Sequence, residues 1–239
     1  MTGRVVKRVS LPLFFICRTL FAAAQPDEPE ALADSVGRWR EANRADSLAD
    51  NLSAWWTDAS GGRVAVRLLR ADAAAGRAFR SRVHDSPRIR IEGFDPDREP
   101  FPPAPAGDIS GDTLATMCAD RYFYPSGTDS VRITLRNRSA ETLFFGGEYA
   151  VCRFENGRWV ELPVGGCFRD ILYGLGPQGS HVFGVWLAAR VFPAEYGVYR
   201  IYKRVRLENP RRDYLLTAEF AVTPFVPFTR FTEQEPCRY

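Results

Sequence analysis

Side chains able to do chemistry are sparse in this sequence, and their spacing selects no reaction. There are two histidines, His84 and His181, and neither has a cysteine, histidine or carboxylate at the spacing a metal site requires. Gly-x-Ser-x-Gly, His-Glu-x-x-His and phosphate-loop patterns are absent. Gly174-Leu175-Gly176 echoes a phosphate loop, but no helix pattern follows it, so a turn is expected there. Glu148, Glu161 and Asp170 are the acids that could pair for glycoside hydrolysis, which asks only for a separation in space; they read as surface residues of strands. The expectation is a non-catalytic protein without cofactor or metal.

Tryptophans and cysteines are more informative. Trp55 and Trp56 are adjacent, so on a strand they point to opposite faces, one into a core and the other toward a second surface or a ligand such as a sugar or peptide. Trp159 beside a turn reads as a packing residue and is the third candidate ligand contact. Cys118, Cys152, Cys167 and Cys237 make an even set, compatible in an oxidising compartment with two disulfides in three possible connectivities. Cys152 lies inside an alternating apolar run, where a buried free thiol fits equally well.

The compartment follows from the first residues. Arg4, Lys7 and Arg8 precede an apolar stretch from Leu11 to Ile16, and Ala22-Ala23-Ala24 supplies small residues for cleavage, the layout of a secretory signal peptide. Arg18 interrupts the pattern. A lipid anchor at Cys17 is disfavoured, because bulky Phe14-Phe15-Ile16 precedes it where lipoprotein processing wants small residues. Cleavage after Ala24 is expected, which places the protein in the periplasm or at the cell surface with no membrane span in the mature chain. The leader carries four of the 32 basic residues and no acid, so the mature chain falls from +3 to about −1 and no nucleic-acid partner is implied.

These residues are positioned by two kinds of element. With 45% apolar and 26% charged residues, 239 residues can bury a core in one large domain or two smaller ones. Leu32, Val36 and Trp39 recur at helical spacing after the acidic start Asp27, Glu28 and Glu30. Residues 52–58 and 63–69 read as a hairpin around Ala59-Ser60-Gly61-Gly62. Asp72 caps a helix running to about His84, and 88–93 forms a strand. Residues 25–94 thus make a helix followed by a ββαβ unit, which needs a second apolar surface to be stable. Pro96, Pro100, Pro102, Pro103 and Pro105 mark 95–112 as an extended linker. Beyond it, strand-like runs near 113–119, 130–137, 142–146, 148–155, 158–162, 180–187, 197–206 and 213–222 predict an antiparallel β-sandwich over 113–222. Asn156-Gly157 is the strongest hairpin signal. A Pro- and Phe-rich tail, 223–239, ends the chain.

This second half resembles the bacterial immunoglobulin-like domains of exported proteins. The resemblance rests on Tyr124-Pro125, Asn137-Arg138-Ser139, Phe145-Gly146-Gly147-Glu148-Tyr149, Asn156-Gly157-Arg158-Trp159, Leu162-Pro163 and Gly197-Val198-Tyr199-Arg200-Ile201. It implies a tyrosine corner at Tyr199, with Ile201 where antibody domains place a cysteine. The order of parts is also similar to that of small exported envelope proteins. What the resemblance implies is a mainly β, Ig-like fold in an interaction or structural module of the cell envelope, with a protein or glycan partner. The alternative role is a carbohydrate-binding or carbohydrate-processing accessory protein, for which Trp55 and Trp56 are the suspects.

Overall fold

The computed structural model describes residues 28–58, 62–107, 114–165, 168, 170–193, 195–208 and 212–224. The leader (1–24), Cys17, Cys167, Cys237 and most of the C-terminal tail lie outside the described residues. Helices gather before residue 83, and strands dominate everything after it.

Helix α1 (Pro29–Ala42) starts with proline in its first turn, where the missing N–H is harmless, and buries Leu32 and Val36 completely. Asp46 caps α2 (Ser47–Asn51) by accepting a hydrogen bond from Leu48 N. β1 (Leu52–Asp58) then pairs antiparallel with β2 (Arg63–Arg70). Asp72, accepting from Ala75 N at 2.8 Å, caps α3 (Ala73–Arg82), which returns the chain to β3 (Ile89–Phe94), parallel to β2. The two longer helices cover one face of this sheet over a core of Leu32, Val36, Leu52, Val64, Val66, Leu68, Phe79 and Ile89.

The remaining strands form two stacked sheets. One contains β4 (Ala115–Ala119), β6 (Ser130–Asn137) and β11 (Ser180–Trp186) in the order β11-β6-β4. The other contains β5 (Phe123–Pro125), β7 (Leu143–Phe145), β8 (Ala150–Glu155), β9 (Arg158–Leu162), β10 (Tyr173–Leu175), β12 (Gly197–Leu207) and β13 (Arg212–Thr223). Its centre is the long β12–β13 pair. The other side of β12 changes partner along its length, pairing with β8 over Tyr199–Tyr202 and with β7 over Arg206–Leu207. Between the sheets lie Ile133, Leu135, Val185, Ile201, Val205 and Phe220, all at most 2% exposed. Asn156 and Gly157 turn the β8–β9 hairpin with φ of +48° and +79°, the double positive φ of a type I′ turn.

Tyr199 Oη donates a 2.8 Å hydrogen bond to the Glu195 carbonyl, and its ring stacks on Phe220. This is the tyrosine corner, with Ile201 wholly buried two residues later. A second local lock is Asn137, 1% exposed. Its amide donates to the carbonyls of Glu141, Leu175 and Gly176, and its oxygen accepts from Ser139.

The Pro-rich stretch read as an extended linker is extended, and part of it is docked. Pro102 O accepts from Glu161 N at 2.7 Å, and Ala104 N donates to Trp159 O at 3.3 Å, so residues 102–104 continue the sheet beyond β9. Its prolines leave fewer donors to satisfy, which suits an edge position. Ala104 packs on a small cluster of Cys152, Tyr202, Leu215 and Trp159 on the outer side of the sheet. The first sheet meets the sandwich through Leu69 and Phe94; the Phe101 ring lies tilted against Phe94 at 4.9 Å and edge-on to Phe192 at 6.3 Å.

Candidate functional site

The open edge of the smaller sheet is set by β11. In an antiparallel pair both backbone groups of a residue face the same side, and the side alternates along the strand. Gly179 O accepts from Asn137 N, and Leu187 N donates to Asp129 O, so odd-numbered residues face β6. Even-numbered residues therefore face outward. Trp186 N, the last of them, donates to Tyr149 Oη at 2.9 Å. Ser180, Val182 and Gly184 continue this outward row, and among the described residues no strand covers it. Val182 is 53% exposed and Gly184 leaves open space. The β9 edge, in contrast, is closed by residues 102–104.

A cleft lies where α1, α2 and β1 converge. It has a volume of about 440 Å3 and is lined by Gly37, Arg40, Glu41, Arg44, Ala49, Asp50 and Trp55. Trp55 packs one side against the helix-covered core. Glycine in the middle of a helix costs about 1 kcal/mol relative to alanine. At Gly37 a β-carbon would sit 3.3 Å from the Trp55 ring, so the missing side chain makes room for the indole. Arg40 holds its guanidinium 5.7 Å from the ring centroid and donates to Ala49 O. Arg44 pairs with Glu41. Asp50 is paired across the junction with Arg190, Nε to Oδ2 2.6 Å, and Arg190 also donates to Ala45 O. The Asp50–Arg190 contact is out of line for a hydrogen bond, leaving Asp50 Oδ2 buried without one. Burial raises the Asp50 carboxyl pKa, and Arg190 opposes the shift.

The other sequence candidates are placed as follows. Trp56 lies on the opposite face from Trp55, as adjacency on a strand requires, and is 38% exposed with the Arg67 guanidinium over its ring. Trp159 is a packing residue, held between Phe154 and the Arg200 guanidinium 4.1 Å away. Cys118 is disulfide-bonded, its partner outside the described residues. Cys152 is a free thiol, wholly buried beneath the docked stretch, and burial pushes its pKa up to about 12. It is not one of a disulfide pair: its β8 position turns it toward Tyr202 and Leu215 on the outer side of the sheet. Glu148, Glu161 and Asp170 sit respectively before β8, in β9 and before β10, and burial raises the Glu161 pKa. His84 follows α3, while His181 sits among the rings of Phe145, Tyr173 and Phe183. Among the described residues no three His, Cys, Asp or Glu side chains gather as a metal site would need.

Sequence reasoning passed over Lys203, Arg40 and Asp50. Lys203 is 1% exposed, points between the sheets, and donates to the Gly146 and Glu148 carbonyls at 2.7 Å beside the faces of Phe145 and Phe183. A compositional signal existed: apart from Lys7, it is the one lysine in a chain otherwise provided with arginine. Arg40 and Asp50 carry no such mark, since only the fold brings them to Trp55.

Two facing, mainly antiparallel sheets with a tyrosine corner define an immunoglobulin-like sandwich. Residues 112–221 match the family described as bacterial Ig-like domain, and this part of the chain is such a domain. Among solved structures, similarity extends to the periplasmic chaperone SfaE, at 12% identity over 48% of this chain and 59% of that one, with a TM-score of 0.32. It also extends to the alkylpurine DNA glycosylase AlkC of Pseudomonas fluorescens, at 14% identity over 46% and 30%, with a TM-score of 0.28. A β-glucosidase from Listeria innocua matches at 15% identity over 48% and 17%, with a TM-score of 0.26. The chain thus spans less than two thirds of each of these proteins. No curated protein matches it.

Proposed function

We propose that the protein is a non-catalytic, exported interaction module of the bacterial cell envelope that receives an extended segment of a protein partner along β11. The observation that carries this reading is the outward row of Ser180, Val182 and Gly184, which offers main-chain donors and acceptors to an added strand. Export is supported by the leader-like residues 1–24, and no helix among the described residues is long and apolar enough to cross a membrane. Bacterial Ig-like domains are generally extracellular modules, which agrees with that address.

The test is a single proline. Val182→Pro removes an outward N–H and leaves the inward ladder to β6 intact, because the residues facing β6 are odd-numbered. With a photo-crosslinker at position 184 in the host envelope, the mature chain should trap one recurring polypeptide, and Val182→Pro should abolish the adduct without lowering the melting temperature. No adduct, or an adduct indifferent to the proline, would sink the reading.

A second reading, a carbohydrate-binding accessory protein, is favoured by the Trp55 cleft, whose half-buried indole is rimmed by polar side chains suited to hydroxyl groups.

A further inference from the structure

Two arginines beside the open β11 edge have no counter-charge. β6 carries Arg132 and Arg136 on its outer face, both exposed, and neither forms an ion pair or a side-chain hydrogen bond among the described residues. No acid shares that face within the three strands: β4 contributes Thr116 and Cys118 to it, and β11 contributes Ser180, Val182 and Gly184. Asp120 and Asp129, just outside the strands, are engaged by Tyr124 Oη and Trp186 Nε1. The register sets Ser180 beside Arg136 and Gly184 beside Arg132, so only a small residue separates each guanidinium from whatever pairs with β11. Two strand spacings come to about 10 Å, a gap that an arginine and a glutamate side chain span together.

The inner face of β11 asks for apolar groups. His181 and Phe183 point between the sheets yet stay half-buried, whereas Val185 on the same side is wholly buried. The His181 ring lies 6.2 Å from Phe183 and 5.3 Å from Tyr173, which is 36% exposed in β10, the end strand of the larger sheet. The two sheets therefore gape along this margin, over an apolar seam. Tyr149 already holds Trp186 N, so the free row runs from residue 180 to 184.

We propose that the segment received by β11 is acidic and alternating. Carboxylates opposite Ser180 and Gly184 pair with Arg136 and Arg132, an apolar residue lies opposite Val182, and two apolar side chains opposite His181 and Phe183 fill the seam. The inference rests on the strand-addition reading above and names the chemistry of its partner. Opposite residues on neighbouring strands share a face, and the pattern is the same read from either end, so it holds for either strand direction.

The experiment is a fluorescence-anisotropy titration of the mature chain, residues 25–239, with three labelled peptides flanked by Gly-Ser: Glu-Leu-Val-Leu-Glu, Gln-Leu-Val-Leu-Gln and Lys-Leu-Val-Leu-Lys. At low salt the acidic peptide should bind about fivefold tighter than the neutral one, the order that two exposed ion pairs supply, and the basic one should bind weakest. The acidic advantage should shrink as salt rises. Combining Arg132→Gln with Arg136→Gln should bring the acidic peptide down to the affinity of the neutral one, and Val182→Pro should abolish binding of all three. Equal affinities, or a preference that survives the double variant, would overturn the acidic assignment and leave the edge reading standing. Binding indifferent to Val182→Pro would place the peptides elsewhere and overturn it as well. Binding of none would also overturn it, and the crosslink at position 184 would then decide the wider reading separately. A dimer in sedimentation that Val182→Pro dissolves would give the edge to a second copy instead.

Discussion

The Lys203 ammonium donates a 2.7 Å hydrogen bond to the Gly146 carbonyl at the point where β12 exchanges β8 for β7. A partner switch leaves backbone carbonyls unpaired, and a buried unpaired carbonyl is costly. Lysine reaches both Gly146 and Glu148 with one group, and the faces of Phe145 and Phe183 take up its remaining charge. Burial nevertheless lowers its pKa from 10.5 to about 8.

That shift predicts a pH dependence. Below about pH 8 Lys203 is charged in both folded and unfolded chains, and the full desolvation cost is present. Between about 8 and 10.5 the unfolded chain holds the proton and the folded chain does not, so stability rises with pH; the gain is lost again as pH falls through 8. Relative to Lys203→Met, the wild type should gain about 3 kcal/mol across this window in urea unfolding. Comparing the two chains cancels the opposite trend of Cys152 and the buried tyrosines, whose raised pKa values make stability fall with alkalinity. A flat difference would show that Lys203 titrates normally.

Asn137→Ala should cost about 2–4 kcal/mol, since it leaves buried carbonyls of Glu141, Leu175 and Gly176 without their shared donor and frees the Ser139 turn. Asn137→Asp should be nearly as damaging, because a carboxylate donates nothing to those carbonyls. Chemical denaturation of both variants checks this. A loss below 1 kcal/mol in each would refute it.

Gly93→Ala should lower stability by about 3 kcal/mol or prevent folding. Gly93 has φ of +143°, and a β-carbon there would lie 2.0 Å from the Leu68 carbonyl oxygen, a backbone atom unable to swing aside. Gly62 is the control: it has φ of +60° with open space around it, so Gly62→Asn should be tolerated. Thermal melts of the pair separate crowding from backbone conformation alone.

What could be read from the sequence was whatever a local pattern encodes. The Asn156-Gly157 turn, the Asp72 cap and the Leu32–Val36 stripe each depend on residues within a few positions, and each is found as expected. β5 and β10 escaped notice because each is short and interrupted by proline or glycine. β5 carries Pro125 and exists through parallel pairing with β13, and β10 is Tyr-Gly-Leu, paired among the described residues with β7 alone. Trp55 was legible as a candidate, but the cleft was not, since Gly37, Arg40 and Asp50 meet it from two helices. Lys203 looked like one more basic residue on a strand of alternating character. Its burial follows from the partner switch along β12, which no local spacing records.

The docked residues 102–104 bear on where this domain begins. The family match starts at residue 112, yet the sheet it describes is completed by main chain ten residues earlier. A fragment cut at the family boundary would shed its own selvage. The bared β9 margin, with Trp159 beside it, would be free to zip onto a second copy. The unit that keeps its sheet margin covered is therefore longer than residues 112–221, and its first edge contact comes from the proline-rich stretch.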